Sequence, residues 1–349
     1  MNKKTGKILL IVAIVIAALL FLSGSFVAEQ MYRYQVCNFT SRDGKSHGYH
    51  VYPDMDADSL FRLMQNDYDV ASVFDWQLHK RYMMYTQPKV GYYEFPERIG
   101  NGPLIKRLMR GGESPVHITW TNQIRTHQQL AGRLAVQLML DSATIEEHFA
   151  SEDFMRRYDL TPETAVCMFL PNTYEVYWSY SIDDLFNRMK REFDRFWSDE
   201  RQQKADALGL KRSEVATVAS IVESETRNKE EKPLIASLYL NRVRKGMALQ
   251  ACPTVIFATG DFKLRRVLTR HLKLDSPYNT YLYRGLPPGP IRCCNAESID
   301  MVLNAPKTDY LFMCANPDFS GTHVFSSNYR QHAAVAAQYR HALDERQIK

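Results

Sequence analysis

The stretch that decides the reading is VASIVESETRNKEEK, residues 218–232. Val215, Val218, Ala219 and Val222 recur at helical spacing, so a helix with a buried stripe is expected, capped at its start by Ser213. At about 100° per residue, Glu223 and Glu225 fall on opposite flanks of that stripe. Glu223 shares its flank with Ala216, Ala219 and Ser220, small residues that leave room for a bound molecule. Glu225 shares its flank with Val218 and Ile221, which fill the space. Arg227 and Lys229 stand four positions after the two acids, so each acid also fits a plain surface pair.

A carboxyl half-buried beside an apolar stripe holds its proton near neutral pH, because burial disfavours its charge. Such a group can protonate the leaving oxygen of a glycosidic bond. Hydrolysis of that bond usually employs a second catalytic carboxylate roughly 5–9 Å away. Two acids on opposite flanks of one helix are not expected to share a site. The pattern therefore favours one catalytic carboxylate.

Downstream, KPLIASLYLNRVRKGM reads as a second helix and LQACPTVIFATG as a turn and strand. Three prolines and two glycines fall between Gly285 and Pro290, giving a stiff connector or a wall for an extended ligand. AESIDMVLNAP is a short helix stopped by Pro306, DYLFMCA and THVFS are paired strands, and a last helix is capped at Ser326 or Ser327.

Upstream, residues 33–55 hold short alternating runs expected as strands. Leu60, Leu63 and Met64 mark a helix capped by Asp56 or Asp58. Residues 70–86 are helical in pattern, VGYYEF is a strand, and NGPLIKRLMR is a helix stopped by Gly111 and Gly112. A small α+β unit is thus expected over 33–112. Residues 123–197 are mostly helical, interrupted by VCMFLPNTYEVYW. There Phe169, Tyr174, Tyr177 and Trp178 either stack on sugar rings or pack beneath the helices.

The N-terminus differs from the rest. Lys3, Lys4 and Lys7 precede the charge-free run ILLIVAIVIAALLFLSGSFV, residues 8–27. Its twenty residues, at about 1.5 Å each, span a hydrocarbon core. The run exceeds the apolar region of a cleaved signal and ends without a good cleavage site, so an uncleaved anchor is expected. Its lysines place residues 1–7 in the cytoplasm and residues 28–349 outside, on a single-pass chain of the cytoplasmic membrane.

The chain as a whole has ordinary globular composition, 45% hydrophobic and 24% charged, and a net charge of +5 with no basic run, which argues against nucleic acid as a partner. The six cysteines show no CxxC spacing, and no HExxH, GxSxG, Walker or GxGxxG motif occurs. No metal or cofactor is expected, and nucleophilic Ser or Cys catalysis has no motif to support it.

ASIVESET, LYLNRVRKGMALQACPTVIFATG, SPYNTYLYRGLPPGPI and the ordered segments AESIDMVLNAP, DYLFMCAN and HVFSSNYRQH resemble the YceG-like, endolytic murein transglycosylase family. The likeness is dense from Val215 to His332. Upstream it is diffuse: VGYYEF with LIKRLMRGG resembles the end of that family's LysM-like domain, and FLPNTY its Pro-Asp-Thr segment. The resemblance implies an α+β protein with an anchor at 8–27, a LysM-like domain at 33–112 and a catalytic domain at 113–349. It implies cleavage of the β-1,4 bond between MurNAc and GlcNAc in nascent peptidoglycan, with the MurNAc 6-hydroxyl in place of water. Glu223 matches the family's acid/base. Glu225 matches a supporting acid, and Gln250, Thr254, Tyr278, Asn279 and Thr280 match expected groove positions. Glycan strands are the implied partner, with peptidoglycan synthases a second class. The alternative is a non-catalytic peptidoglycan-binding scaffold of the wall-synthesis machinery. Cys252 stands where the family commonly has Asp, Asn172 stands where Asp is usual, and His117–Asn122 lacks an Ile-Pro-Glu-Gly run.

Overall fold

The computed structural model describes residues 3–264 and 266–346. Residues 1–2 of the expected cytoplasmic tail and residues 347–349 of the expected catalytic domain lie outside the described residues, as does Arg265.

Helix α1 (Lys3–Gln35) carries the apolar run and continues about two turns past it. By length and composition it can cross a membrane, and the candidate span Gly6–Gln35 is unburied. The chain then folds as two compact units, residues 1–117 with 175–179, and residues 118–174 with 180–349.

In the first unit, β1 (Phe39–Ser41), β2 (His47–Val51), α2 (Ala57–Met64), β3 (Tyr68–Val70), α3 (Val73–Tyr82), β4 (Gly91–Phe95), β5 (Arg98–Ile99) and α4 (Asn101–Arg110) follow one another. Strand β1 lies between β3 and β5, antiparallel to both, and β2 pairs antiparallel with β4 through Tyr49 opposite Tyr93. Asp56 caps α2 by accepting from the Ser59 N–H at 2.7 Å, and Gly111 ends α4 with φ of 75°, a left-handed conformation open to glycine. Phe39, Leu60, Met64, Tyr68, Trp76, Tyr93, Phe95 and Leu104 form the core. A buried polar chain crosses it. Asn38 Nδ2 donates to Asn101 Oδ1 at 2.9 Å, and the Asn101 amide reaches His79 Nδ1 at 2.8 Å. The side chains of Asn38, Asn101 and His79 thereby give one another partners in the interior.

Strands β6 (Pro115–Thr119) and β7 (Thr173–Tyr177) pair as a two-stranded sheet. The second unit begins with α5 (His127–Ala135), α6 (Ser142–Ala150), α7 (Glu152–Arg156) and a 3₁₀ helix, Pro162–Met168. Phe169, Tyr174 and Trp178 are buried, so packing, not sugar stacking, accounts for them; Tyr177 alone of the four is exposed. Then come α8 (Ile182–Phe196), α9 (Asp199–Leu208), α10 (Arg212–Glu225), α11 (Lys232–Arg244), α12 (Cys252–Thr259), α13 (Ala296–Leu303), the antiparallel pair β8 (Phe312–Ala315) and β9 (His323–Ser326), and α14 (Tyr329–Glu345).

Four local expectations change. The cap of α10 is Lys211, not Ser213, because Glu214 Oε2 reaches back to the Lys211 N–H at 2.7 Å. Residues 252–259 are helical, not a strand: Pro253 opens the helix and Gly260, at φ 70°, closes it, which overrides the β-branched content. Asn328, not Ser326 or Ser327, caps α14 through the Gln331 N–H at 3.0 Å. Finally, α10 has no exposed flank. Every residue from Val215 to Glu223 is buried, with α11, α12 and α13 packed around the helix. Ala216, Ala219 and Ser220 admit these neighbours at close range rather than a ligand.

Candidate active site

The last turn of α10 opens into a cleft of about 520 Å³. Glu223 and Glu225 both line it, together with Asn122, Arg125, Lys232, Arg292 and Asn295. The expectation that the two acids cannot share a site is therefore corrected. Glu225 is the helix's final residue, and Thr226 leaves the helical conformation at φ −142° and ψ 149°. The cleft wraps around this end, so opposite flanks border one space. The small-residue flank is closed by the chain itself: the Ile291 N–H donates to Ser220 Oγ at 3.0 Å and the Cys294 thiol contacts the Ala216 carbonyl at 3.7 Å.

Glu223 is only 7% exposed and receives three donors. Asn295 supplies two, its backbone N–H to Oε2 at 2.9 Å and its Nδ2 to Oε1 at 2.6 Å. Asn122 Nδ2 supplies the third, also to Oε1 and at 2.6 Å. Asn295 is the N-cap of α13, yet its side chain makes no capping bond. An asparagine there ordinarily bonds its own helix; this one is turned to Glu223. Asn122 is anchored in turn by Arg292, whose Nε donates to the Asn122 carbonyl at 2.7 Å.

Glu225 has a different setting. Tyr239 donates its hydroxyl to Glu225 Oε1 at 2.6 Å. Burial pushes the Glu225 carboxyl above the usual range, and the Tyr239 bond and His323 offset only part of that. Neither acid pairs with the base four positions on among the described residues; Lys229 instead pairs with Glu297 at 2.9 Å. The cleft also holds cations without a carboxylate partner among the described residues. Lys232, 8% exposed, has only the Ser298 hydroxyl at 3.4 Å, and Arg292 is 6% exposed. Burial pulls the Arg292 guanidinium below its ordinary value, with Glu223 opposing.

The other expected groove residues divide. Tyr278 lines an adjoining cleft of about 390 Å³ that shares Arg125 with the first. Gln250 lines a pocket of about 250 Å³ with Tyr239 and Tyr281, and holds φ of 52°, rare for a residue with a side chain. Thr254, Asn279 and Thr280 are fully enclosed and work on the backbone instead. Asn279 Nδ2 donates to the Leu272 and Leu274 carbonyls at 3.1 and 2.7 Å. Thr280 Oγ1 accepts from the Ala251 N–H at 3.1 Å and meets Thr254 Oγ1 at 2.9 Å. The Gly285–Pro290 loop is a packed connector at Gly289, where a Cβ would come within 2.0 Å of the Glu163 carbonyl oxygen. Cys252, exposed, touches the Tyr281 hydroxyl at 3.2 Å, while Cys37, Cys167, Cys293 and Cys294 are buried.

Asn122, Asn295 and Arg292 carry no local pattern that marks them in the sequence. The one available signal is the place of Asn295 just before the AESIDMVL helix, at a capping position.

A buried carboxylate at a helix end, fixed by asparagine donors in a polar cleft, is a group that can give and take a proton. A sequence profile described as the YceG-like family matches residues 49–338. The chain belongs to the YceG-like family. It is 34% identical over 170 residues to the endolytic murein transglycosylase of Bacillus subtilis (strain 168), covering 48% of this chain and 45% of that protein. It is 26% identical over 293 residues to the protein of the same name from Streptococcus pneumoniae serotype 2 (strain D39 / NCTC 7466), covering 76% of this chain and 53% of that one. The chain thus spans about half the length of these relatives. A YceG-like protein of Listeria monocytogenes, solved at 2.6 Å, shares the fold with a TM-score of 0.54 and 22% identity, over 83% of this chain and 99% of that chain.

Proposed function

We propose that the chain is a membrane-anchored endolytic peptidoglycan transglycosylase. It cuts the MurNAc–GlcNAc β-1,4 bond within nascent glycan strands, leaves a 1,6-anhydro-MurNAc end and so terminates elongation. The observation that carries this is Glu223 held by Asn122 and Asn295 in the polar cleft. The name shared by the matched relatives supports it.

Glu223, protonated, gives its proton to the leaving GlcNAc oxygen as the bond to the MurNAc anomeric carbon breaks. As a carboxylate it then takes the proton of the MurNAc 6-hydroxyl while that oxygen bonds to the same carbon. No water is consumed, and one carboxyl serves both steps. Asn122 suits this cycle, because a side-chain amide offers N–H to a carboxylate and, turned over, its oxygen to a carboxylic acid. Glu225, which also lines the cleft and accepts from Tyr239, is a supporting group.

Residues 8–27 anchor the chain in the cytoplasmic membrane, with residues 1–7 inside and the catalytic domain, 113–349, outside. Residues 33–112 act as a LysM-like glycan-binding domain, whose pocket of about 710 Å³ offers His50, Tyr92 and Glu94 to a sugar. Peptidoglycan synthases, which make the strand, are its protein partners.

The test is mass spectrometry of fragments released from peptidoglycan by the full chain in detergent. Fragments ending in anhydro-MurNAc support the reading. Reducing ends formed by water would replace it with hydrolysis, and no soluble fragments with the scaffold alternative.

A further inference from the structure

Helix α3 is packed inside out. Its inward face carries Asp75 and His79, both buried, beside Trp76. Its outward face carries Phe74, Leu78 and Tyr82, which are 68%, 44% and 79% exposed and stand four residues apart. Val73 and Met84 extend the same apolar surface. A soluble helix of this composition would bury Phe74 and Leu78 and expose Asp75. Exposed apolar surface of this kind marks a site that contacts something else.

The contacts of α3 identify the occupant. Asp75 accepts from Gln30 Nε2 and Arg33 Nη1 of α1, each at 2.6 Å, and His79 meets Tyr34 edge-on at 4.9 Å between ring centres. Helix α3 is therefore fixed against α1 at the level of residues 30–34, just past Val27, where the apolar run ends. At 1.5 Å per residue that level lies about 5–10 Å beyond the hydrocarbon core, the layer of lipid headgroups in which amphipathic helices lie. Phe26, Val27 and Met31 of α1 are exposed too, so the apolar surface runs from the span onto α3. Between the helices Met31, Tyr34, Leu78 and Tyr82 line a gap of about 430 Å³. Arg81, exposed in the last turn of α3, offers a cation to headgroup phosphate.

We infer that α3 is a second membrane contact: its Phe74–Leu78–Tyr82 face lies in the headgroup layer of the leaflet from which α1 emerges and holds the first unit against the lipid surface. The inference rests on the reading of α1 as a membrane anchor and is independent of the proposed catalysis.

The full chain is reconstituted in phosphatidylethanolamine–phosphatidylglycerol vesicles as three variants: Phe74→Trp, Tyr82→Trp and, as a control in the second unit, Tyr329→Trp, whose site is 70% exposed. The added tryptophans at positions 74 and 82 are expected to emit at shorter wavelength than the control. They should be quenched by lipids brominated high on the acyl chain and shielded from aqueous acrylamide; Tyr329→Trp should show the reverse. All three substitutions replace exposed rings, so folding is retained. Flotation with the vesicles reports on α1 separately. A chain that floats but shows no lipid quenching at 74 and 82 overturns this inference while leaving the anchor standing. Acrylamide shielding without lipid quenching overturns it in favour of a protein partner, and failure to float overturns both.

Discussion

Asn122 Nδ2 lies 2.6 Å from Glu223 Oε1, across 101 residues of sequence. The contact is built from both sides, with Arg292 holding the Asn122 backbone and the Asn295 N–H holding the carboxyl's other oxygen. Asn122→Leu removes one charge-assisted donor, an interaction of about 1.5–3 kcal/mol, so kcat should fall roughly ten- to a hundredfold with little change in KM. Asn122→Asp sets a second carboxyl where the amide was. Two carboxyls at that range cannot both ionise, so the proton donor keeps its proton to higher pH and the alkaline limb of the pH–rate profile should move up. Rates measured across pH for both variants check this; unchanged profiles would show that the asparagine only fills space.

Much of this arrangement was legible in the sequence, and the remainder has identifiable physical causes. The run from Val215 to Glu225 announces a helix because its apolar spacing is a local property, and Gly111 announces a stop because few residues adopt its backbone. Residues 252–259 misled because Val255, Ile256 and Phe257 favour strands in isolation, whereas Pro253 and the surrounding contacts settle the matter as a helix. Periodicity could not show that α10 is covered on every side, since a stripe and a full wrap differ only in what other segments do. Asn122 and Asn295 are ordinary polar residues until the fold delivers them to Glu223. The inverted packing of α3 was hidden for the same reason: Asp75 turns inward only because α1 brings Arg33 and Gln30 to it.

That inward aspartate should matter for stability. Burial alone would push the Asp75 carboxyl up, but the bonds from Arg33, Gln30 and Ser72 outweigh it and leave it below its ordinary value. A carboxylate lowered on folding contributes stability above its unfolded value, about 3.9, and loses that contribution as pH falls through the folded value. Asp75→Ala should therefore cost about 1.5–3 kcal/mol at neutral pH. Thermal unfolding in micelles should show a deficit at pH 7 that shrinks under strongly acid conditions. Equal melting of variant and parent at pH 7 would mean that the link between α1 and α3 carries no load.

Asn279 separates a loop-building role from a groove-lining one. Its side chain donates to two carbonyls and accepts from the Tyr281 N–H at 3.1 Å, all within the segment from Leu272 to Tyr281. Asn279→Ala leaves buried backbone groups without partners, at about 1–3 kcal/mol for each unsatisfied group. The expected result is a lower melting temperature and faster proteolysis between residues 261 and 285. A stable variant that differs only in KM would return Asn279 to the groove.

The two glutamates of α10 should respond in opposite ways. Burial raises the Glu225 carboxyl above its ordinary value, with the Tyr239 bond as partial offset. An acid raised on folding binds more protons in the native than in the unfolded state, so stability declines as pH rises through the unfolded value, about 4.3, towards the folded one. Glu225→Gln removes that cost and can keep the Tyr239 bond. It should melt higher than the parent at neutral pH, and the advantage should vanish below roughly pH 4. Glu225→Gln should also still produce anhydro-MurNAc ends, more slowly, because the proton shuttle is elsewhere. Glu223→Gln retains the shape of the side chain but can neither give nor take the proton, and loss of such a group costs ~10²–10⁴ in rate. Its amide also presents N–H where Asn122 and Asn295 present theirs, so one amide must turn to restore the bonding. The expected outcome is a folded protein, by circular dichroism, that releases no anhydro ends. If Glu223→Gln released them at the parent's rate while Glu225→Gln did not, the assignment of the two acids would be reversed. The titrating carboxyl beside Tyr239 would then be the acid that cuts.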